Sequence, residues 1–210
     1  MKMPKNISFD IEDYINRVRS FHGHVAPGVI IGGFMVHIAR VHMPEGALFN
    51  AISETAKCLP DAIQLLTPCT IGNGWLRIFD IGRFALSLYD KHSGNGFRVF
   101  LNPKKLKDWT EINSWFFKLN PKPGQNQEFL CTQIKEAGGN LCEILPIQVR
   151  PEFLKKKNKS KIVICPSCEE AYPSQDGNVC RMCQGIFNYY SEGKILIGVG
   201  TDFGFYDQKE

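Results

Sequence analysis

RFALSLYDKHSGNGFRVFL, residues 83–101, decides the fold class. Two runs rich in branched and aromatic residues, RFALSLYD and FRVFL, flank the polar segment KHSGNG. Its Asn95-Gly96 pair is a hairpin signal, because Asn and Gly tolerate the positive φ that tight hairpin turns require. The stretch therefore predicts two neighbouring antiparallel strands. Upstream, WLRIFDI (75–81) reads as a further strand. Downstream, LCEILPIQV (141–149) reads as another, with Pro146 arguing for an edge position or a bulge.

Helical periodicity surrounds these strands. Residues 10–20, DIEDYINRVRS, put Ile11, Tyr14, Ile15 and Val18 on one face, with Asp10 as N-cap. Pro27 suits the first turn of a second helix, PGVIIGGFMVHIARVHM, which Pro44 closes. Gly28, Gly32 and Gly33 weaken that helix, so another backbone or a ligand is expected close to one face. Residues 47–57, ALFNAISETAK, read as a third helix, and Pro60 starts a short fourth that ends before Pro68. Asn102-Pro103 starts a helix carrying Leu106, Trp109, Ile112, Phe116 and Leu119, and another occupies roughly 127–137. Trp109, Trp115, Phe116 and Phe117 are read as core or dimer-interface residues, and Cys131 and Cys142 as buried apolar ones. The elements do not repeat as βαβ units. The expectation is an α+β fold, helices packed on a mainly antiparallel sheet, followed by a small four-cysteine zinc-binding domain.

The domain boundaries follow from composition. Residues 1–150 form the α+β core domain, 151–161 a basic linker containing KKKNKSK, and 162–210 the cysteine-rich module. The chain is 43% hydrophobic and 22% charged with a net charge of +4, enough to bury a core. Apart from Lys155–Lys161 the two signs are interspersed, so charge gives no general nucleic-acid footprint. No apolar run approaches the roughly 18 residues of a membrane span. The start, MKMPKNISFD, lacks the apolar stretch of a signal peptide. A cytoplasmic protein with reduced thiols is expected, so its eight cysteines are read as ligands, nucleophiles or core residues before disulfides.

CPSCEEAYPSQDGNVCRMCQG, residues 165–185, pairs Cys165-x2-Cys168 with Cys180-x2-Cys183 across eleven residues. Two such knuckles converge four thiolates tetrahedrally on one Zn²⁺, leave no open position, and let a unit with little core fold. A redox dithiol or an iron site are the alternatives. Zinc modules of this kind bind nucleic acid, bind protein, or extend a fold, and the short basic run does not favour nucleic acid. An adaptor or regulator that uses the module to engage a partner is therefore the competing, non-enzymatic reading of the whole chain.

In the core domain, FHGHVAPG (21–28) places His22 and His24 around Gly23. CLPDAIQLLTPCTIGNG (58–74) carries Cys58, Asp61, Cys69 and Thr70, then a turn with Gly72 and Gly74, while Glu54 sits four residues before Cys58. A thiol at the start of the Pro60 helix meets the positive end of its dipole, which favours thiolate. Imidazole and thiolate suit Zn²⁺ and related metals. By chemistry alone, a loop His-x-His is more often a surface or capping feature than a ligand, and each cysteine taken singly more often a small core residue.

The two motifs, in this order, with the terminal CxxC…CxxC, resemble the E-subunit family of formylmethanofuran dehydrogenase. The resemblance covers roughly residues 10–105 and 165–183. It implies an α+β core with a metal-binding cleft, a homodimer, and a small zinc domain. It maps the cleft onto His22, His24, Cys58 and Cys69, holding Zn²⁺ or another divalent transition metal. Asp61 would orient a ligand or carry a proton, and Thr70 with Gly72 and Gly74 would bind a small anionic ligand through backbone amides. Many members of the family have cysteine where this chain has Ala26, so either that cysteine is dispensable for binding or this chain has a reduced ligand set. The sequence carries no ferredoxin-type cysteine run, so the family's named reaction is not expected of this chain, and whether it turns over a substrate is left open.

Overall fold

A computed structural model describes residues 9–121, 124, 126–154 and 160–186 of the chain. It divides into two units, 1–155 and 156–210. In the first unit the order is α1 (Ile11–His22), α2 (Pro27–His42), β1 (Phe49–Ser53), α3 (Leu59–Leu66), β2 (Leu76–Ile78), β3 (Ala85–Asp90), β4 (Asn95–Leu101), α4 (Thr110–Phe116), α5 (Gln127–Ala137), β5 (Cys142–Gln148) and the short α6 (Pro151–Leu154). The sheet order is β2-β1-β3-β4-β5. Only β1 and β2 pair in parallel, and every other neighbour is antiparallel. This is an α+β fold, with Pro146 on the edge strand β5 opposite Phe97.

The core centres on α2, which is apolar on nearly every side and packs across β3, β4 and β5 while α1, α3 and α5 flank it. Two of its glycines, Gly32 and Gly33, admit side chains rather than a ligand. A Cβ on Gly32 would lie 2.7 Å from Ala62 Cβ, and one on Gly33 would strike the Tyr14 ring. Tyr14 is 1% exposed and its hydroxyl donates to Val29 O at 2.8 Å, tying α1 to the first turn of α2. Asp10 caps α1 by accepting from the amides of Glu12 and Asp13, each at 3.0 Å.

Three local expectations are corrected. The β3–β4 turn lies before Asn95-Gly96: the Asp90 carboxylate accepts from the amides of His92 and Ser93 at 3.0 and 2.7 Å, and Gly94 takes φ 77°. Gly96 is already in β4, where any Cβ would collide with Leu88 O and Tyr89. Residues 47–57 are not a helix, because Phe49–Ser53 becomes a central strand paired with both β2 and β3, and two rows of backbone hydrogen bonds outweigh helix propensity. Glu54 consequently takes bidentate hydrogen bonds from Arg98, at 2.6 and 2.8 Å, instead of facing Cys58 across a helical turn. The helix expected from Asn102 divides into a 3₁₀ turn, Lys105–Asp108, and α4, with Trp109 extended between them (φ −123°, ψ 90°).

In the second unit β6 (Ile162–Ile164) and β7 (Ala171–Pro173) form an antiparallel pair around the first cysteine knuckle. The runs IFNYY and KILIGVG, whose branched and aromatic residues suit short strands, lie outside the described residues apart from Ile186.

Candidate functional site: a cleft and a four-cysteine cluster

The four cysteines of the second unit lie with their sulfurs all within 4.8 Å of one another. Cys168 and Cys180 sulfurs are 3.7 Å apart, and the Cys180 amide donates to Cys165 Sγ at 3.4 Å. That amide is the main cause drawing the Cys165 thiol down to about 6. At Cys168 the Glu170 amide pulls downward but is outweighed by desolvation and by the neighbouring thiols, which push it to about 12. Sulfurs this close do not all ionise unless a cation supplies opposing charge, and a tetrahedral Zn²⁺ does so. Tyr172 OH donates to Gly177 O at 2.8 Å, bracing the loop between the knuckles.

The first unit contains a cleft of about 1170 Å³ between the start of α2, the loop before α3, the loop before β3 and the end of α4. His22 ends α1, and Gly23 in the left-handed region (φ 84°) turns the chain so that His24 follows alongside, ring centroids 4.8 Å apart. Asp61, in the first turn of α3, meets His22: Nδ1 to Oδ2 is 2.5 Å. With Nδ1 engaged by a carboxylate, Nε2 of His22 is left as the free lone-pair donor.

Cys58 stands directly before α3 with φ 62° and ψ −52°, and the Leu59 amide donates to Lys57 O at 2.6 Å. This is a γ-turn of the rare, strained hand. Lys118, on another wall of the cleft, is also at positive φ (54°). Such strain, about 1–3 kcal/mol for each residue, collects at functional positions. The Cys58 sulfur fits closely against α2, since a Cβ on Gly28 would be 2.8 Å from it. Burial and then the Asp61 carboxylate push the Cys58 thiol up, opposite to the helix-dipole expectation. Ala26, 5% exposed, lines the cleft as the N-cap of α2 and offers no donor atom.

His22, His24 and Cys58 thus share one cleft, with Asp61 bonded to His22, while Cys69, Thr70, Gly72 and Gly74 do not line it. Cys69 is fully buried in the core with its sulfur against Phe49 O at 3.5 Å. It follows the far end of α3, a helix whose eight residues span about 12 Å. The Thr70–Gly74 turn is closed on itself: Thr70 N donates to Asn73 Oδ1, Asn73 N to Thr70 Oγ1, Gly74 N to Ile71 O, and Ile71 N to Gln64 Oε1. The amides of Thr70, Ile71, Asn73 and Gly74 are thus engaged by the loop itself or by Gln64 and are not turned to an anion. Among the described residues only the second unit's cysteines gather three or more ligand atoms within 4.8 Å of one another.

The cleft also contains residues no motif announced. Lys57, Arg83 and Lys118 line it, as do Phe84, Trp115 and Phe116. Phe84 and Phe116 meet edge to face at 6.1 Å and 83°. Helical spacing identified Trp115 and Phe116 as packing residues, and they do pack against the core, but one side of each faces the cleft.

Comparison with known proteins fits both parts. A family model named FmdE and described as "Molybdenum formylmethanofuran dehydrogenase operon" matches residues 21–146. A second, "FmdE treble clef zinc finger", matches residues 156–191. A crystal structure of a tungsten formylmethanofuran dehydrogenase FmdE-like protein from Syntrophus aciditrophicus is similar at TM-score 0.81 and 50% identity, over 90% of this chain and all of that one. A probable S-adenosyl-L-methionine-binding protein of Archaeoglobus fulgidus is 29% identical over 83% of this chain, which spans 53% of that relative. No helix among the described residues is long and apolar enough to cross a membrane.

Proposed function

Because the chain belongs to the FmdE family and carries the family's treble clef zinc finger with its structural zinc, we propose that it is a metalloprotein with a second, separate metal in the first unit's cleft. His22 and His24 supply imidazole nitrogens and Cys58 a sulfur to Zn²⁺ or another divalent transition metal, and Asp61 is a positioning residue. The carrying observation is the 2.5 Å contact between His22 Nδ1 and Asp61 Oδ2, which directs the other ring nitrogen toward a ligand role. With three protein donors the metal keeps an open position, where it would act as a Lewis acid or lower the pKa of bound water. Cys58 Sγ, held by its strained turn and by Gly28, anchors the metal to α3, while Ala26 leaves room on the α2 side.

Metal analysis of variants tests this. The full-length protein should carry one metal in the cleft and one in the finger. His22→Ala with His24→Ala should remove the first and spare the second, and Cys69→Ala should spare both. A single metal, retained in the double histidine variant, would contradict the proposal.

A second reading follows from the name of the Archaeoglobus relative: the cleft would take S-adenosylmethionine. The aromatic wall of Trp115 and Phe116 favours it, as a surface on which an adenine ring could stack.

A further inference from the structure

We infer that the cleft selects a small anionic ligand with a planar aromatic part, its negative group held by Lys57, Arg83 and Lys118 and its ring laid on Trp115 and Phe116. The inference rests on the metal-cleft reading for its place, but its affinity is assigned to side chains and not to the metal.

Charge carries the first half. Lys57, Arg83 and Lys118 line the cleft, and among the described residues no Asp or Glu does. Among the described residues none of the three has a carboxylate within ion-pair distance, whereas Arg98, Lys105 and Lys135 are paired with Glu54, Glu143 and Glu12. Asp61, which meets the cleft residue His22, is engaged by it. Three cations without a described carboxylate partner around a concave, partly apolar space focus a positive potential into it, which attracts anions and disfavours a cationic organic ligand, since such a ligand, unlike a metal ion, has no donor bonds from His22, His24 and Cys58 to offset the repulsion. S-adenosylmethionine, whose sulfonium and ammonium groups outweigh its one carboxylate, would bring net positive charge to all three. The same cleft therefore discriminates against S-adenosylmethionine in favour of a phosphate or carboxylate carrying a ring.

The walls carry the second half. Trp115 and Phe116 lie 6.1 Å apart at 49°, and Phe84 and Phe117 meet Phe116 edge on at 6.1 and 5.3 Å, so the Phe116 ring is held in place by its aromatic neighbours. Rings held this way offer rigid stacking area at little entropic cost. A cleft of about 1170 Å³ exceeds the roughly 300–1000 Å³ of ordinary small-ligand pockets, so it has room for a ring, an anionic group and a metal together.

The test uses 1-anilinonaphthalene-8-sulfonate, an anionic aromatic fluorophore, with the full chain. Wild type should bind it with an affinity that falls as salt rises. Lys57→Gln, Arg83→Gln and Lys118→Gln combined should weaken binding at least tenfold and flatten the salt dependence. Trp115→Ala alone should weaken it several-fold, and Lys91→Gln with Arg150→Gln, remote surface changes, should leave it unaltered. AMP should displace the dye at lower concentration than adenosine or S-adenosylmethionine. Absence of dye binding, equal binding by the triple variant, or displacement by S-adenosylmethionine as readily as by AMP would overturn the inference. The double histidine variant separates the two claims: it should lose the cleft metal yet retain the cation-dependent dye binding. If its metal content is unchanged, the metal reading fails while the ligand reading still stands or falls on the triple variant.

Discussion

In the finger, two tight knuckles bring four sulfurs within 4.8 Å through contacts local in sequence. In the cleft, His22 and Asp61 are 39 residues apart and meet only because α1 and α3 both pack on α2. The finger has little core and depends on its ion, whereas the cleft depends on the packing that positions it. Spacing alone reveals the first kind of site. The second becomes visible only when the helices are docked.

That difference sets the order of expected effects. Removing the finger's zinc, by chelation or by Cys165→Ser, should have the largest: structural zinc contributes about 10–16 kcal/mol of apparent binding energy to small fingers. Residues 160–186 should lose amide protection while the first unit keeps one cooperative melt, and a concerted loss of both would break the comparison. Next is Arg98→Leu, which strands Glu54, 9% exposed, at the end of β1 just before the loop that carries Lys57 and Cys58. A loss of about 3 kcal/mol in denaturant unfolding is expected, with finger zinc content unchanged.

Gly32→Ala should follow, at about 1–3 kcal/mol, because the added methyl forces α2 away from Ala62 and Leu59. It should disturb Cys58 and hence the cleft metal, again without touching the finger. The smallest effect belongs to Asp90→Ala, below about 1 kcal/mol. Hydrogen bonds from Ser93, above all its amide, hold the Asp90 carboxyl below its ordinary value. A folded value below the unfolded one stabilises at pH above the unfolded value, and that contribution is lost as pH falls through the folded one. Wild type and Asp90→Ala should therefore differ at neutral pH and converge in acid.

Much of the fold was legible for physical reasons that stay local. Asp10, Pro27 and Pro60 mark the starts of α1, α2 and α3, and the branched and aromatic runs at 85–90 and 97–101 are strands. Phe49–Ser53 was not legible, because a central strand with two partners is fixed by pairing that its own Ala- and Asn-containing sequence does not disclose. The cleft was legible in part. His22, His24 and Cys58 stood out by chemistry, and Cys69 with the same credentials faces the core because α3 carries it to the opposite end. Lys57, Arg83 and Lys118 gave no signal and Trp115 was read as a packing residue, since three cations and a tryptophan from three loops and a helix acquire their meaning as a cleft only when assembled.

Anomalous diffraction from crystals of the full-length protein, recorded on either side of the zinc absorption edge and those of the neighbouring transition metals, bears most directly on the central claim. The expected result is two separate peaks, one enclosed by Cys165, Cys168, Cys180 and Cys183, the other in contact with His22 Nε2 and Cys58 Sγ. A map with density at the four cysteines alone, and both imidazoles open to solvent beside an empty Cys58, would contradict it.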